Sequence, residues 1–222
     1  MAFAKLTTKK ATALTPQVVT IIVDDSGSME GQKAQDATKG VQDVVITIQA
    51  GNQGSSGSRF LVSIAKFGNA TIPLVEVVRP ESISLNQLSF SGDSGGTEMA
   101  DALDWAVRAV QKGMTECRRV PGFVEEGAPT PLVLFFSDGA NTGRDIATPA
   151  QELRGVRFGG GSIDVVAVGI GMDQNSFPVM QQIASKPELA VNIDPAQLAA
   201  FLADVGATVM KGEDIKKMVE NY

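Results

Sequence analysis

Five oxygen-bearing side chains in three separate segments have the types and spacing of a metal site. They are Asp24, Ser26 and Ser28 in the first segment, Thr97 in the second and Asp138 in the third. Carboxylate and hydroxyl oxygens are hard donors, and such a set suits the octahedral shell of a small hard cation. We predict Mg²⁺ or Mn²⁺ here, because the carboxylates are too few for a dedicated calcium cage and no soft ligand is present for zinc.

Two motifs that suggest hydrolytic catalysis are incomplete in this sequence. Gly92–Gly96 resembles the segment around the nucleophilic serine of trypsin-like proteases, but the chain contains no histidine to accept the serine's proton. Asp24-Asp25-Ser26 resembles the start of haloacid-dehalogenase-type phosphatases, which carry an acid/base carboxylate at the position of Ser26. Without that carboxylate the leaving group lacks its proton donor. We therefore predict no catalytic residues and expect Gly92–Gly96 to form a flexible loop.

The first polar segment lies between a predicted strand and a predicted helix. Val18–Val23 is an unbroken apolar run rich in β-branched residues, which indicates a strand buried on both faces, as in a parallel sheet. From Ala34 to Ile48 apolar residues recur every three or four positions, which predicts an amphipathic helix. Open α/β sheets bind ligands outside the carboxyl ends of their strands, which is where Asp24, Ser26 and Ser28 would lie.

A hairpin is predicted at one edge of the sheet. Phe60–Phe67 and Thr71–Val78 have strand patterns, and the Gly68-Asn69 link between them is too short for a crossover helix. Pro73 has no N–H to donate, so its strand is expected at the edge. The glycine- and serine-rich residues 51–58 before this hairpin are predicted to be a loop.

The rest of the chain alternates helices and strands. A helix is predicted after Thr97, and the aperiodic residues 113–131 are expected to be a long functional or mobile connection. The other predicted elements are, in order, a strand at Leu132–Phe136, a helix at about Thr148–Gly155, a strand at Ile163–Val168, a short helix at about Asn175–Ala184, a short strand at Val191–Ile193 and a final helix from Pro195.

This order predicts a doubly wound (Rossmann-like) α/β fold, with a mostly parallel sheet, one antiparallel edge strand and helices on both faces. Residues 17–210 are predicted to form the domain. Residues 1–16 are interpreted as an N-terminal extension, either flexible or an edge strand, and residues 211–222 as a charged C-terminal tail. If Val18–Val23 and Leu132–Phe136 are neighbouring strands, their carboxyl ends bring the metal-site residues together.

Composition excludes several functional classes. The net charge of −6 argues against nucleic acid or an anionic membrane surface as a partner. Cys117 is the single cysteine, so no intrachain disulfide can form, which favours a reducing compartment. We see no secretory signal and no run approaching the ~20 apolar residues of a membrane span, and expect a cytoplasmic protein.

Each candidate residue also has a simpler interpretation. Asp24 alone could serve a turn, and Ser26, Ser28 or Thr97 could cap the helix that follows. The ordered combination of all three segments favours a metal site. Asp25 is excluded from the ligand set and is expected to point to solvent.

The three segments resemble the metal-ion-dependent adhesion site (MIDAS) of von Willebrand factor A domains. The matching parts are Asp24-x-Ser26-Gly27-Ser28 with Met29, then Gly95-Gly96-Thr97 before a helix, then Ser137-Asp138-Gly139 after an apolar strand. The resemblance covers roughly residues 17 to 210. It implies that Ser26, Ser28 and Thr97 bind the metal directly through their hydroxyls, and that Asp24 and Asp138 bind it largely through water.

The long connection after the Thr97 helix, the strand that ends at Ser137-Asp138-Gly139, the segment Ala167–Gly171 and the final helix after Pro195 are the features of a narrower resemblance. It is to bacterial TerY-like proteins, which are associated with tellurium-resistance and stress gene clusters. It implies a metal-dependent protein-binding scaffold, not an enzyme, that grips an acidic residue of a partner. Partners implied in this way are phosphatase-like or kinase-like proteins of the same gene cluster. Two alternatives remain open, a metal-dependent phosphoester hydrolase and a structural subunit whose metal site is unused.

Overall fold

The computed structural model describes residues 9–52 and 59–222. Its strands are β1 (Gln17–Asp24), β2 (Phe60–Phe67), β3 (Thr71–Val78), β4 (Leu132–Ser137), β5 (Arg157–Phe158), β6 (Gly161–Ser162), β7 (Asp164–Ile170) and β8 (Ala190–Ile193). Its helices are α1 (Gln32–Asn52), α2 (Met99–Arg118), α3 (Ala147–Gly155), α4 (Pro178–Ile183), α5 (Leu198–Lys211) and α6 (Ile215–Val219). Predictions for residues 1–8 and for the loop at 53–58 lie outside the described residues.

Six of the strands form one sheet in the order β3-β2-β1-β4-β7-β8. β3 runs antiparallel to β2, and every other neighbouring pair in this sheet is parallel. The predicted fold class is confirmed, including the antiparallel strand at the edge. The central strands β1 and β4 are buried along almost their whole length, because helices cover both faces of the sheet.

Adjacent residues of β4 show how the two faces are covered. Phe135 packs against Phe67 of β2, with ring centroids 5.2 Å apart, on the face that α2 covers. Phe136 packs edge-on against Phe201 of α5 on the other face. α1 lies beside α5 in that second layer, and a Cβ on Gly40 would come within 2.3 Å of Leu202. This close packing holds α1 against α5.

The segment predicted as a long connection at 113–131 is shorter than expected. α2 continues to Arg118, and Gly113 lies in the helix where a Cβ would come within 2.7 Å of Val18. The apolar period fails there because the helix packs directly on β1. At the C-terminal end of α2, Arg118 pairs with Glu125 at 2.7 Å and lies over the ring of Phe158 in the β5–β6 hairpin.

The prediction of a charged tail at 211–222 also needs correction. α6 lies within this segment, and its Ile215, Met218 and Val219 are buried against the core. Residues 9–16 contain neither helix nor strand, although Ala11 is buried. Among the residues that the structure describes, no helix has the length and apolar character needed to cross a membrane.

Candidate metal centre

The candidate site lies where β1 and β4 end side by side. The parallel register pairs Val23 with Phe136, so Asp24 and Ser137 follow on adjacent strands at one edge of the sheet. The chain leaves β1 through a short 3-10 turn at Gly27–Met29, and Met29 is fully buried beneath it. This turn directs the side chains that follow β1 toward the loop that follows β4.

Hydrogen bonds connect four of the five predicted site residues. The backbone N–H of Ser26 donates to Asp24 Oδ1 at 2.8 Å, and the hydroxyls of Ser26 and Ser28 are 3.1 Å apart. Ser28 Oγ donates to Asp138 Oδ1 at 2.5 Å. Ser137 Oγ donates to Asp24 Oδ2, which joins the end of β4 back to the end of β1. Ser137, which directly precedes Asp138, is thus a further polar contact of the site besides the five predicted residues.

The fifth residue, Thr97, reaches the same place from the loop before α2. A Cβ on Gly139 would lie 3.6 Å from Ser28 Oγ and 3.7 Å from Thr97 Oγ1. Both hydroxyls therefore face the space beside Gly139, which has no side chain to fill it. The structure brings all five predicted residues to one site, and their ligation of a metal stays a prediction.

None of the hydroxyls is used as a helix cap. Ser26 precedes the 3-10 turn without a side-chain capping bond. Glu98, not Thr97, is the N-cap residue of α2, and it too makes no capping bond. The N-terminus of α2 instead receives Asn141 Oδ1, which accepts from Met99 N at 3.1 Å. The capping interpretation of Ser26 and Thr97 is therefore wrong.

The electrostatics of the site favour a bound cation. Asp24 and Thr97 are 0% and 5% exposed, and the side chain of Asp138 is fully shielded. Burial raises the pKa of Asp24 above its usual value, the nearby charge of Asp138 raises it further, and hydrogen bonds from Ser137 and Ser26 only partly offset this. A positive charge between the two carboxylates would relieve this cost.

The donor chemistry fits a magnesium-like ion better than a transition metal. Among the described residues, no three His, Cys, Asp or Glu side chains are grouped so as to hold a metal. A cation at this site must therefore take hydroxyl oxygens as well as carboxylates, which is the preference of hard cations. The five residues fit such an ion.

Asp25 does not point to solvent, contrary to the sequence prediction. It is 0% exposed, and its carboxylate accepts hydrogen bonds from Lys66 Nζ, Ser94 Oγ and the backbone N–H groups of Ser91 and Gly92 at 2.6 to 2.8 Å. Burial by itself would raise the pKa of Asp25, but these hydrogen bonds together lower it below its usual value.

The loop predicted to be flexible at Gly92–Gly96 is therefore anchored to the first segment. Ser94 N donates to Asp25 O, and Gly27 N donates to Gly95 O. Through these contacts Asp25 positions the loop that carries Thr97. Lys33, another residue without an assigned role, reaches Asp138 from α1. No local sequence pattern indicates either contact, since the partners are distant in the chain.

Comparison with known proteins identifies a family for most of the chain. The family model for the von Willebrand factor type A domain matches residues 19–204. A search of curated protein sequences gives no match.

Several solved structures share the fold. One is a von Willebrand factor type A protein from Catenulispora acidiphila, with 18% identity and a TM-score of 0.65 over 88% of this chain and 43% of that one. Another is mussel byssus proximal thread matrix protein 1 with a zinc-occupied MIDAS motif, with 17% identity and a TM-score of 0.63 over 90% of this chain and 49% of that one.

A third is the pilus adhesin SpaC from Lactobacillus rhamnosus GG, with 15% identity and a TM-score of 0.68 over 91% of this chain and 32% of that one. The chain spans less than half the length of these three structures. At such identities the likeness shows a common fold.

Proposed function

Because the chain belongs to the von Willebrand factor type A family, we propose that it is a divalent-metal-dependent protein-binding module. In this proposal the metal ion binds the carboxylate of an acidic side chain of a partner protein. Domains of this family are mostly adhesion or scaffold modules without enzymatic activity. The observation that carries the proposal is the convergence of two carboxylates and three hydroxyls at the ends of β1 and β4.

The proposed ligand set assigns different roles to hydroxyls and carboxylates. Ser26, Ser28 and Thr97 would bind the cation directly, and Asp24 and Asp138 would bind it largely through water. Neutral inner ligands leave the ion electrophilic, so that it can accept a carboxylate oxygen from outside the chain. That chemistry is reversible binding. We propose Mg²⁺ or Mn²⁺ as the ion, and the zinc-occupied MIDAS of the mussel protein supports divalent occupancy of such a site.

The biological setting is proposed from the narrower resemblance alone. It suggests a TerY-like protein of the bacterial cytoplasm, working in a stress-response or tellurium-resistance system. Its partners would be phosphatase-like or kinase-like proteins of the same gene cluster.

Hydrolysis of phosphoesters is the weaker alternative. A metal-activated water needs a nearby base, and the chain has no histidine. Asp25, the additional carboxylate beside Asp24, is occupied by Lys66 and three other donors. It is therefore not free to accept a proton from water.

Calorimetric titration of Mg²⁺ and Mn²⁺ into metal-stripped protein tests the proposal. Ser28→Ala is the informative variant, because Ser28 is exposed and its loss should leave the fold intact. Asp24 is fully buried and hydrogen bonded, so its removal would confound binding with stability. Ser82→Ala is the matched control, because Ser82 is an exposed serine in the 3-10 turn Pro80–Ser82, outside the candidate site.

We expect one saturable site that Ser28→Ala weakens by about tenfold or more and Ser82→Ala leaves unchanged. Partner capture from a lysate of the source cells should then require metal and be lost with EDTA. Folded wild-type protein that binds neither ion, or binding that is indifferent to Ser28→Ala, would contradict the proposed site.

A further inference from the structure

Lys33 brings a positive charge into contact with the candidate metal site. It is the second residue of α1, and its ammonium donates to Asp138 Oδ2 and, at 3.2 Å, to the carbonyl oxygen of Ser28. The side chain of Lys33 is 32% exposed, whereas that of Asp138 is fully shielded. Lys33 thus lies between the buried carboxylate and solvent.

The position of Lys33 is unfavourable for the helix itself. The N-terminus of a helix carries a partial positive charge and favours acidic side chains. The first turn of α1 has no acidic residue and carries Lys33 instead. Attraction to Asp138 must therefore offset repulsion from the helix dipole, which makes Asp138 the group that fixes the ammonium in place.

Lys33 and a divalent cation would neutralise the same carboxylate. Asp138 Oδ1 accepts from Ser28, and Oδ2 accepts from Lys33, so both of its oxygens are occupied by donors of this chain. With Asp24, the site has two carboxylates and one ammonium. Asp25 adds no net charge, because Lys66 pairs with it at 2.7 Å.

We propose that Lys33 is a built-in counter-cation that weakens metal binding and so sets the affinity of the site. Its ammonium must move away from Asp138 when the site takes a divalent ion, and its partial exposure gives it a path into solvent. This inference rests on the proposed metal site and deepens it. A role limited to positioning Asp138 predicts the opposite sign, because loss of Lys33 would then weaken metal binding.

The test is the same calorimetric titration of Mg²⁺ and Mn²⁺, applied to Lys33→Met, Lys33→Arg and a control on the same helix. Lys39→Met is that control, because Lys39 is exposed and pairs with Asp43, one turn along α1. We expect Lys33→Met to tighten binding by about tenfold, through removal of charge repulsion a few ångströms from the ion. Lys39→Met should bind as the wild type does, whereas Lys33→Arg, which keeps the positive charge, should not bind more tightly than the wild type.

Thermal unfolding gives a second readout that does not depend on a partner. Without its ammonium, Lys33→Met leaves Asp24 and Asp138 facing each other, so the metal-stripped variant should melt below the wild type. Saturating Mn²⁺ should raise its midpoint by more than it raises the wild-type midpoint, because binding is tighter.

The outcomes separate this inference from the proposed function. Tighter binding by Lys33→Met than by a wild type that binds metal supports it. Binding by Lys33→Met alone supports the role of Lys33 but overturns the proposed metal-dependent function of the wild-type chain. Unchanged or weaker binding by Lys33→Met, with a wild type that binds through Ser28, overturns the role of Lys33 and leaves the metal site standing. Absence of binding in the wild type and in every Lys33 variant overturns both.

Discussion

Replacing Asp25 by asparagine should both destabilise the protein and weaken metal binding at the candidate site. The carboxylate of Asp25 is fully buried and accepts four hydrogen bonds. Asparagine keeps an oxygen for the two backbone donors, Ser91 N and Gly92 N. Its amide N–H groups, however, would face the ammonium of Lys66, which loses its acceptor, whereas the hydroxyl of Ser94 can accept a hydrogen bond from the amide.

The expected cost follows from the loss of a shielded ion pair. Removing one partner of a buried pair costs about 3–5 kcal/mol, because the other charge stays behind. The side chain of Lys66 is 17% exposed and can recover some hydration, which places Asp25→Asn near the lower end. We therefore expect a loss of about 3 kcal/mol, and about 1–2 kcal/mol should return in the double variant Asp25→Asn with Lys66→Met.

Urea unfolding measures this cost directly, with the single tryptophan as the probe. Trp105 is 6% exposed in the core, so its fluorescence reports global unfolding. With a slope of about 3 kcal/mol per M, the midpoint should fall by about 1 M. Asp43→Asn is the matched control: it removes an exposed helix ion pair and should change stability by less than about 0.5 kcal/mol.

The same variant should also weaken Mn²⁺ binding several-fold, because Asp25 anchors the loop that positions Thr97. A stability within about 0.5 kcal/mol of the wild type would refute the assignment of Asp25 as a buried anchor. Full destabilisation with unchanged Mn²⁺ affinity would instead show that Thr97 does not depend on that loop.

Three further predictions concern other parts of the molecule. Gly139→Val should weaken metal binding by about tenfold without moving the midpoint of urea unfolding, because the valine side chain enters the space between Ser28 and Thr97. Gly127→Val is the control, because a side chain at Gly127 extends into open space. Burial and a hydrogen bond to Asp204 raise the pKa of Tyr222 to about 12, so absorbance at 295 nm should show ionisation near that pH. Because the pKa of Tyr222 is raised in the folded protein, the interactions of its neutral hydroxyl contribute fully to stability below about pH 10. This contribution is lost as pH rises through about 12. A midpoint of the absorbance titration near pH 10 would contradict the prediction. Burial raises the pKa of the Cys117 thiol to about 11, so dithionitrobenzoate at pH 8 should modify Cys117 only after unfolding.

The sequence was sufficient for the fold class and for the position of the site residues at strand ends. An apolar run such as Val18–Val23 has a strong strand preference, and the change to helical period after Met29 defines a strand–turn–helix unit from local spacing alone. The metal-binding prediction then follows from residue type, since the oxygen-bearing side chains of Asp24, Ser26 and Ser28 come directly after that strand. These features are encoded locally, between Val18 and Ile48.

Where local patterns failed, the cause was packing against distant residues. Gly113 interrupts the apolar period of α2, yet the helix continues because a glycine there allows close approach to Val18. The charged residues after Gly212 suggested a tail, whereas Ile215 and Met218 are buried against the core. Neither outcome is visible within one segment, because each depends on a surface formed elsewhere in the chain.

The charge pairing around the candidate metal site depends on the tertiary structure alone. Asp25 pairs with Lys66, which lies 41 residues later in the chain, and Lys33 pairs with Asp138, which lies 105 residues later. The strand order β2-β1-β4 determines both ion pairs, because it places the ends of these three strands side by side. A charged side chain can be buried only where its partner is, and for these residues the partner is fixed by how the sheet assembles.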